Sequence, residues 1–307
     1  MSARTLSIII PAKNEEGAIG GLVEDIVARY PDAETLVIDD GSTDKTAETA
    51  KRAGARVISH PHSLGNGAAV KTGARNASGE ILVFLDGDGQ HNPADIPRLL
   101  ERLDEGFDMV VGARATAKSH ANTGRLMANG VYNLVASIVT GHTIPDLTSG
   151  FRAARAAKFR KYLYLLPNGF SYPTTITMAF MRSGFPVDFI DIEAAARIGK
   201  SHIRPIHDGL RFLIIIFKIA TLYAPLKLFL PASAAFFTTG LGYYLFTYIT
   251  QSRFTNMSLL LFCASVIIFL IGLISEQITS LNYKDTDSET GALSPLSGGS
   301  TQNKKAD

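Results

Sequence analysis

The 307-residue chain contains no tryptophan and one cysteine. With Cys263 alone, no intramolecular disulfide can form, which suits a domain kept in a reducing compartment. The missing tryptophan excludes any motif that needs an indole. A formal net charge of +2 gives the chain no overall field that would point to a nucleic-acid partner. No secretory leader is expected. The apolar run Leu6–Ala12 is short, and Lys13-Asn14-Glu15-Glu16 ends it without a small-residue cleavage site. That run reads as a buried first strand. No internal repeat is visible.

Charge is missing from two long stretches near the C-terminus. Residues 228–252 lie between Lys227 and Arg253, residues 254–275 lie between Arg253 and Glu276, and neither stretch holds Asp, Glu, Lys, Arg or His. About 20 apolar residues cross a hydrocarbon core of about 30 Å, so both are long enough to span. The polar link around Gln251–Asn256 makes them a helical hairpin. Acid is scarce just upstream, where Arg197, Lys200, Arg204, Arg211, Lys218 and Lys227 face only Asp208. Such a basic cluster suits the anionic cytoplasmic leaflet. The positive-inside bias places the N-terminal domain and the C-terminus of this integral membrane protein in the cytoplasm.

The apolar run inside Ile206–Ala224 needs a different reading. At about 100° per residue, Arg204, His207, Arg211 and Lys218 share one sector, with Leu210, Leu213 and Phe217 roughly opposite. A central Arg or Lys costs about 2.5–3.5 kcal/mol on insertion, whereas each Leu or Ile returns only about 0.5. The segment is expected to lie in the membrane interface, or to pack on the soluble domain as an ordinary amphipathic helix. The stretch from Leu281 to Asp307 is rich in Ser, Thr, Gly and charge and is expected to be disordered. The expected organisation is a domain over residues 1–203, an interfacial helix over 204–226, two membrane helices over 227–277 and a tail over 278–307.

From Leu6 to about Val111, apolar runs alternate with helix-length amphipathic segments. The strand candidates are Leu6–Pro11, Thr35–Asp40, Arg56–Ser59, Glu80–Leu85 and Met109–Ala113. Between them stand helix candidates at Ala18–Arg29, Thr46–Arg52, Ala68–Asn76 and Ala94–Asp104. Near-continuous Ile, Leu and Val separated by helices imply an α/β domain with a mostly parallel sheet covered on both faces. Polar residues crowd three strand ends, at Lys13-Asn14-Glu15, Asp39-Asp40 and Asp86-Gly87-Asp88. Ligands of open α/β sheets bind at that edge.

The strongest chemical signal is Leu82-Val83-Phe84-Leu85-Asp86-Gly87-Asp88-Gly89-Gln90-His91. Two carboxylates two residues apart, on a turn after a buried strand, can reach one hard divalent cation bridging a diphosphate. Gly87 and Gly89 let the backbone bend there. Gln90 is a further ligand candidate, while His91 is expected to shape the turn. At the second strand end, Asp39-Asp40 are expected to face a nucleobase or ribose, with Thr43 or Asp44 capping the next helix. Gly65-Asn66-Gly67-Ala68-Ala69-Val70-Lys71-Thr72-Gly73 is not a P-loop, because Val70 stands where a glycine must precede the Lys-Thr pair. It reads as a tight turn opening a helix whose free N–H groups face a ligand.

Taken together, Pro11-Ala12-Lys13-Asn14-Glu15-Glu16, Asp39-Asp40-Gly41-Ser42, Gly65-Asn66-Gly67 and Asp86-x-Asp88-Gly-Gln90 resemble a family 2 glycosyltransferase with the Rossmann-like GT-A fold. The later residues resemble the dolichol-phosphate mannose synthase group. They are Gly112-Ala113-Arg114, Arg125, Asp146-Leu147-Thr148-Ser149-Gly150-Phe151-Arg152 and Arg197-x-Gly199-x-Ser201. The resemblance covers about residues 5–205, and the hairpin extends it to bacterial polyprenyl-phosphate hexose synthases. It implies that Asp86, Asp88 and Gln90 hold Mg²⁺ or Mn²⁺ against the diphosphate of a UDP- or GDP-sugar. It further implies that Pro11, Asn14, Glu15, Asp39, Asp40 and Asp86 line the donor pocket. Asp88, Arg114, Arg125, Arg197 and Ser201 would carry the catalysis, the arginines and the serine handling the donor and acceptor phosphates. His202 follows Ser201 where relatives often carry Lys, which makes one acceptor-side charge weaker or pH-dependent. A surface ion pair is the alternative use of any one of these arginines. The implied reaction is inverting transfer of a hexose to a polyprenyl phosphate in the bilayer, and a homo-oligomer is neither required nor excluded.

Three rival readings fit less of the sequence. A processive polysaccharide synthase shares the early motifs but typically carries Gln-x-x-Arg-Trp, and this chain has no Trp. A metal-dependent nucleotidyltransferase gives no reason for the hairpin. An inactive membrane scaffold would be favoured by loss of the paired aspartates, and both are present.

Overall fold

The computed structural model describes residues 5–114, 143–169, 172–193 and 223–287, together with Ser137, Gly141, Phe217 and Thr221. Five parallel strands begin the architecture: β1 (Leu6–Ala12), β2 (Glu34–Asp39), β3 (Arg56–Ser59), β4 (Ile81–Phe84) and β5 (Met109–Arg114). They alternate with α1 (Glu16–Arg29), α2 (Thr46–Arg52), α3 (Asn66–Asn76) and α4 (Ile96–Asp104), the last preceded by a 3₁₀ turn at Pro93–Asp95. Then follow β6 (Arg152–Arg155), α5 (Ala156–Lys161), α6 (Tyr172–Arg182) and β7 (Val187–Ile192).

The seven strands form one sheet in the order β3-β2-β1-β4-β6-β5-β7. All neighbours are parallel except β6, which runs antiparallel to both β4 and β5. The expectation of a mostly parallel sheet holds, but β4 and β5 do not pair with each other, because β6 lies between them. Strand alternation divides the core. Ile9, Ile38, Phe84 and Val111 face α3, α5 and α6, whereas Ile8, Ile10, Val37 and Val83 face α1 and α4. Both faces are therefore covered, as the apolar runs require.

Glycine lets α3 lie flat on the sheet. A Cβ at Gly73 would drive into Ile9 Cγ2 and stand 3.3 Å from Ile38 Cγ1.

The C-terminal part is a hairpin of α7 (Pro225–Gln251, 27 residues) and α8 (Asn256–Asp287, 32 residues). Its polarity is inverted relative to a soluble helix pair. Phe246, Ile249, Leu260 and Ile274 are among the most exposed residues, while the buried ones are small or hydroxylated. On α8 the buried positions are Ser258, Ser265, Gly272 and Thr279, and on α7 they include Ser233, Gly240 and Thr247. Both rows repeat every seven residues, the spacing of a left-handed helix seam. Ser233 Oγ donates to the Ser265 carbonyl at 2.9 Å, and Ser265 Oγ returns a bond to the Ser233 carbonyl at 3.0 Å. A Cβ on Gly272 would stand 2.7 Å from Phe229 Cβ, so only glycine lets the helices close there. Small residues and reciprocal hydroxyl bonds hold helices together where the solvent is itself apolar.

The helix α8 continues through Asp287, beyond Leu281, where the sequence suggested a disordered tail. Extending an existing helix adds one bond per residue fixed, which polar residues also permit. Residues 288–307 and the expected interfacial helix over 204–226, apart from Phe217, Thr221, Tyr223, Ala224, Pro225 and Leu226, lie outside the described residues.

The hairpin is tied to the α/β domain at its open end. Glu276 on α8 pairs with Arg182 at the end of α6 at 3.4 Å and accepts the Leu226 N–H at 3.3 Å. Thr279 Oγ1 donates to the Thr221 carbonyl at 3.1 Å.

Gly73→Ala should cost the full-length protein about 1–3 kcal/mol by overpacking. The expected readout is a lower melting temperature in detergent, and an unchanged one would contradict the close α3–sheet contact.

Candidate active site

The carboxyl ends of β1, β2 and β4 lie side by side, with Ala12 opposite Asp39 and Ile9 opposite Phe84 in register. The β1 and β2 loops are stitched together there. Asn14, held in the left-handed region at φ 54°, donates its N–H to Ser42 Oγ at 2.9 Å and accepts the Thr43 N–H on Oδ1 at 2.9 Å. The Glu15 N–H donates to Thr46 Oγ1 at 2.8 Å, and Asp44 accepts the Thr46 N–H at 3.0 Å just ahead of the N-cap of α2, which is Lys45 rather than the expected Thr43 or Asp44. Asp39 closes the turn by accepting the Ser42 N–H at 3.1 Å.

Asp40 is held by four hydrogen-bond partners within the protein. His60 Nδ1 lies 2.8 Å from Oδ1, which also takes the Leu64 N–H at 2.8 Å. Ser63 Oγ and the Gly65 N–H donate to Oδ2 at 2.7 and 2.9 Å. A carboxylate offers about four acceptor sites, and here four partners occupy them. Burial alone would raise the pKa of Asp40, but these hydrogen bonds outweigh it and hold the value at about 2. Asp40 therefore fastens the β3–α3 loop to the end of β2.

The Gly65-Asn66-Gly67 turn is also committed within the protein. The N–H groups of Gly67 and Ala68 donate to the carbonyls of Gly169 and Asn168 at 3.2 and 2.9 Å. Lys71 reaches the Leu166 carbonyl at 3.1 Å and the Asn168 side chain. The N–H groups expected to face a ligand are taken by backbone, because the helix start packs too closely on residues 167–169 for anything but glycine at position 67.

The carboxylate turn follows β4. The Gly87 N–H donates to the Pro11 carbonyl at 3.2 Å, and Gly89 adopts φ +71°. Asp88 is buried and accepts the Gln90 N–H at 3.1 Å. Asp86 is part-exposed but closely surrounded. Its pKa is raised, first by burial and then by the like charge of Asp88, against the opposing pull of His91, Arg114 and Arg152. His91 is buried and stacks on Phe151 with centroids 5.2 Å apart, so it shapes the turn. Burial lowers its pKa and favours the neutral ring, although Asp86 and Asp88 oppose this.

Because β6 is antiparallel, the segment that enters it arrives at the same edge. Asp146 forks Arg114, with Nε donating to Oδ2 at 2.7 Å and one Nη to Oδ1 at 3.1 Å, and the same Nη donates to Thr148 Oγ1 at 2.6 Å. Burial would raise the pKa of Asp146, but Arg114 and Thr148 lower it. Arg114 thus comes to the site already paired. Gly150 abuts Asp86, and a Cβ there would stand 2.8 and 3.0 Å from the two carboxylate oxygens. Behind it, Arg152 is completely buried.

The structure therefore brings together Pro11, Asn14, Glu15, Asp39, Asp86, Asp88, Gln90 and Arg114, with Asp40 in the wall. Arg125, Arg197 and Ser201 lie outside the described residues. The sequence reading missed the Asp146–Arg114 fork, the Gly150–Asp86 contact and the burial of Arg152. All three sit in or touch the Asp146–Arg152 motif, which was the available signal. The donor set of Asp86, Asp88 and Gln90 is made of hard oxygens and fits Mg²⁺ or Mn²⁺. Among the described residues no three His, Cys, Asp or Glu side chains converge as a metal cluster. An ion at this turn would draw its other ligands from a diphosphate and water, the usual habit of Mg²⁺.

The folded pKa of Asp40 lies below the unfolded one, so its contribution to stability is present above about pH 4 and lost as pH falls toward about 2. Asp40→Asn should flatten that part of the melting-temperature profile, and an identical acid limb in both proteins would contradict the hydrogen-bonded shell.

Residues 7–163 match the family described as "Glycosyl transferase family 2", and residues 224–281 match "GtrB C-terminal hairpin". Over 292 residues the chain is 29% identical to "Glycosyltransferase AglJ" of Haloferax volcanii, covering 90% of this chain and 94% of that protein. Over 162 residues it is 33% identical to the undecaprenyl-phosphate 4-deoxy-4-formamido-L-arabinose transferase of Salmonella paratyphi A, covering 50% of this chain and 49% of that protein. Glucosyl-3-phosphoglycerate synthase from Mycobacterium tuberculosis, solved with Mn²⁺, UDP and phosphoglyceric acid, shares the fold at a TM-score of 0.57 and 24% identity, over 71% of this chain and 79% of that one. The first match runs from β1 through β6 and so takes in both the carboxylate turn and the segment that closes on it, and the chain belongs to glycosyl transferase family 2.

Proposed function

We propose that this glycosyltransferase moves a hexose from a UDP- or GDP-sugar onto a polyprenyl phosphate at the membrane surface, with inversion at the anomeric carbon. The carrying observation is the union, in one chain, of an oxygen-donor turn at the sheet edge and a membrane-type hairpin bound to the same domain by Glu276 and Arg182. A relative named for action on undecaprenyl phosphate supports the acceptor class. A neighbour in fold that holds Mn²⁺ and UDP supports the donor class.

In this reading Pro11, Asn14, Glu15 and Asp39 line the nucleotide pocket, and Asp40 holds its wall. Asp86, Asp88 and Gln90 would hold Mg²⁺ or Mn²⁺, which neutralises diphosphate charge as the bond to the sugar breaks. An oxygen of the acceptor phosphate forms the new bond to the anomeric carbon, while the old bond's electron pair leaves with the nucleoside diphosphate. A phosphomonoester is largely dianionic at pH 7, so the attack needs little help from a general base. The chain's own task is alignment and charge stabilisation. Arg114, oriented by Asp146, faces the carboxylate turn, and Arg125, Arg197 and Ser201 are assigned to the phosphates by their family motifs. The domain over residues 1–203 and the C-terminus are assigned to the cytoplasm, with 204–226 in the interface and 227–277 in the bilayer.

Asp88→Asn should fold normally yet lose at least about 100-fold in transfer. Wild-type turnover, or full activity in excess chelator, would defeat the metal assignment. A chain ending before Pro225 should leave the membrane fraction on a high-salt wash, and full retention would show that the hairpin is not the anchor.

A further inference from the structure

Arg152 is a buried arginine with no carboxylate in direct contact, although Asp146 and Asp86 act on it through space. Its side chain is completely buried, and among the described residues it forms no ion pair. Its partners are neutral. One Nη donates to the Pro173 carbonyl at 3.0 Å and Thr177 Oγ1 at 3.1 Å, and approaches Met109 Sδ at 3.9 Å. The other Nη donates to the Ser149 carbonyl. The guanidinium carbon lies 5.7 Å from the centre of the Tyr172 ring, and Nε has no partner. A guanidinium does not shed its proton in proteins. Burying one without a carboxylate costs several kcal/mol, and an apolar side chain of similar volume would fill the site more cheaply.

The partners show what the cation holds. Ser149 belongs to the segment entering β6, while Pro173 and Thr177 belong to α6. Tyr172 Oη adds a long bond of 3.4 Å to the Gly150 carbonyl, and Thr174 Oγ1 one of 3.3 Å to the Leu147 carbonyl. The start of α6 thus grips residues 147–150 from behind, with the Arg152 fork at the centre of the grip. On its other side the gripped segment presents Gly150 to Asp86, leaving no room for a side chain between them. The backbone of Gly150 is the surface against which the carboxylate rests.

We propose that Arg152 is a positioning residue for Asp86. Its planar fork locks the 147–150 segment onto α6, so that Gly150 fixes the direction in which the Asp86 oxygens face. The inference rests on the reading that Asp86 takes the divalent ion. Residues behind the ligands of a metal site typically change its affinity by about 10- to 100-fold when replaced.

The test is Mn²⁺ binding to the detergent-solubilised full chain, followed by electron paramagnetic resonance with UDP and then GDP present. Asp86→Asn serves as the reference. Arg152→Met, Arg152→Lys and Gly150→Ala are the variants, each with its melting temperature and its KM for polyprenyl phosphate. The expected result is a loss of Mn²⁺ affinity of about 10- to 100-fold in all three, with the acceptor KM unchanged. The lysine variant belongs in this group because an ammonium cannot reproduce the fork. Should Arg152→Met fail to fold, Arg152→Lys and Gly150→Ala decide the matter. A folded Arg152 variant or Gly150→Ala with wild-type Mn²⁺ affinity would overturn the inference alone. Absence of Mn²⁺ binding in the wild type, or its survival in Asp86→Asn, would overturn the metal reading and the inference together.

Discussion

One reversed strand organises the catalytic end of the molecule. If the sheet were wholly parallel, every loop at its carboxyl edge would leave a strand and enter a helix. Inserting β6 antiparallel between β4 and β5 brings a segment to that edge from the opposite direction. It carries Asp146, Thr148, Ser149 and Gly150 into the space beyond β4. The Arg114 fork and the Gly150 backstop both follow from this reversal. So does the burial of Arg152, whose backbone pairs with Phe84 on one side and Val111 on the other.

The electrostatics of the site follow from the same packing. Asp86 and Asp88 are crowded together, and burial penalises charge on Asp86. That is unfavourable for the empty protein and favourable for taking up a cation. Asp40 sits in the opposite situation, with four internal partners and a carboxyl that stays ionised down to about pH 2. Two acidic strand ends that look alike in sequence are thus separated by their surroundings into one carboxyl held above its ordinary range and one held below it.

Much of this was legible beforehand. The five apolar runs became β1 to β5 because strands buried on both faces must be apolar throughout. The Asp86–Gln90 turn stood out because its spacing is local. What stayed hidden depends on distant partners. The strand β6 reads Arg-Ala-Ala-Arg, with no apolar run, and forms because two neighbouring strands offer unpaired edges. The strand β7 mixes Val, Phe and Ile with two aspartates at the margin of the sheet. The fate of Asp40 turns on residues 20 to 25 positions away, and that of the Gly65–Gly67 turn on a loop about 100 positions away. No local pattern encodes such meetings.

The ion pair at the hairpin's foot carries a consequence for the bilayer itself. Asn256 and Glu276 are 20 residues apart on one helix, a rise of about 30 Å, which matches the hydrocarbon thickness of a typical membrane. With Glu276 bound to Arg182, that pair works as a depth mark at which the apolar slab has to end. A thicker membrane would draw two charges toward the lipid tails or force the hairpin upright, and a thinner one would make it tilt. The same helix α6 carries Arg182 at one end and the contacts to residues 147–150 at the other, so a single rigid element joins the foot of the hairpin to the wall of the carboxylate site.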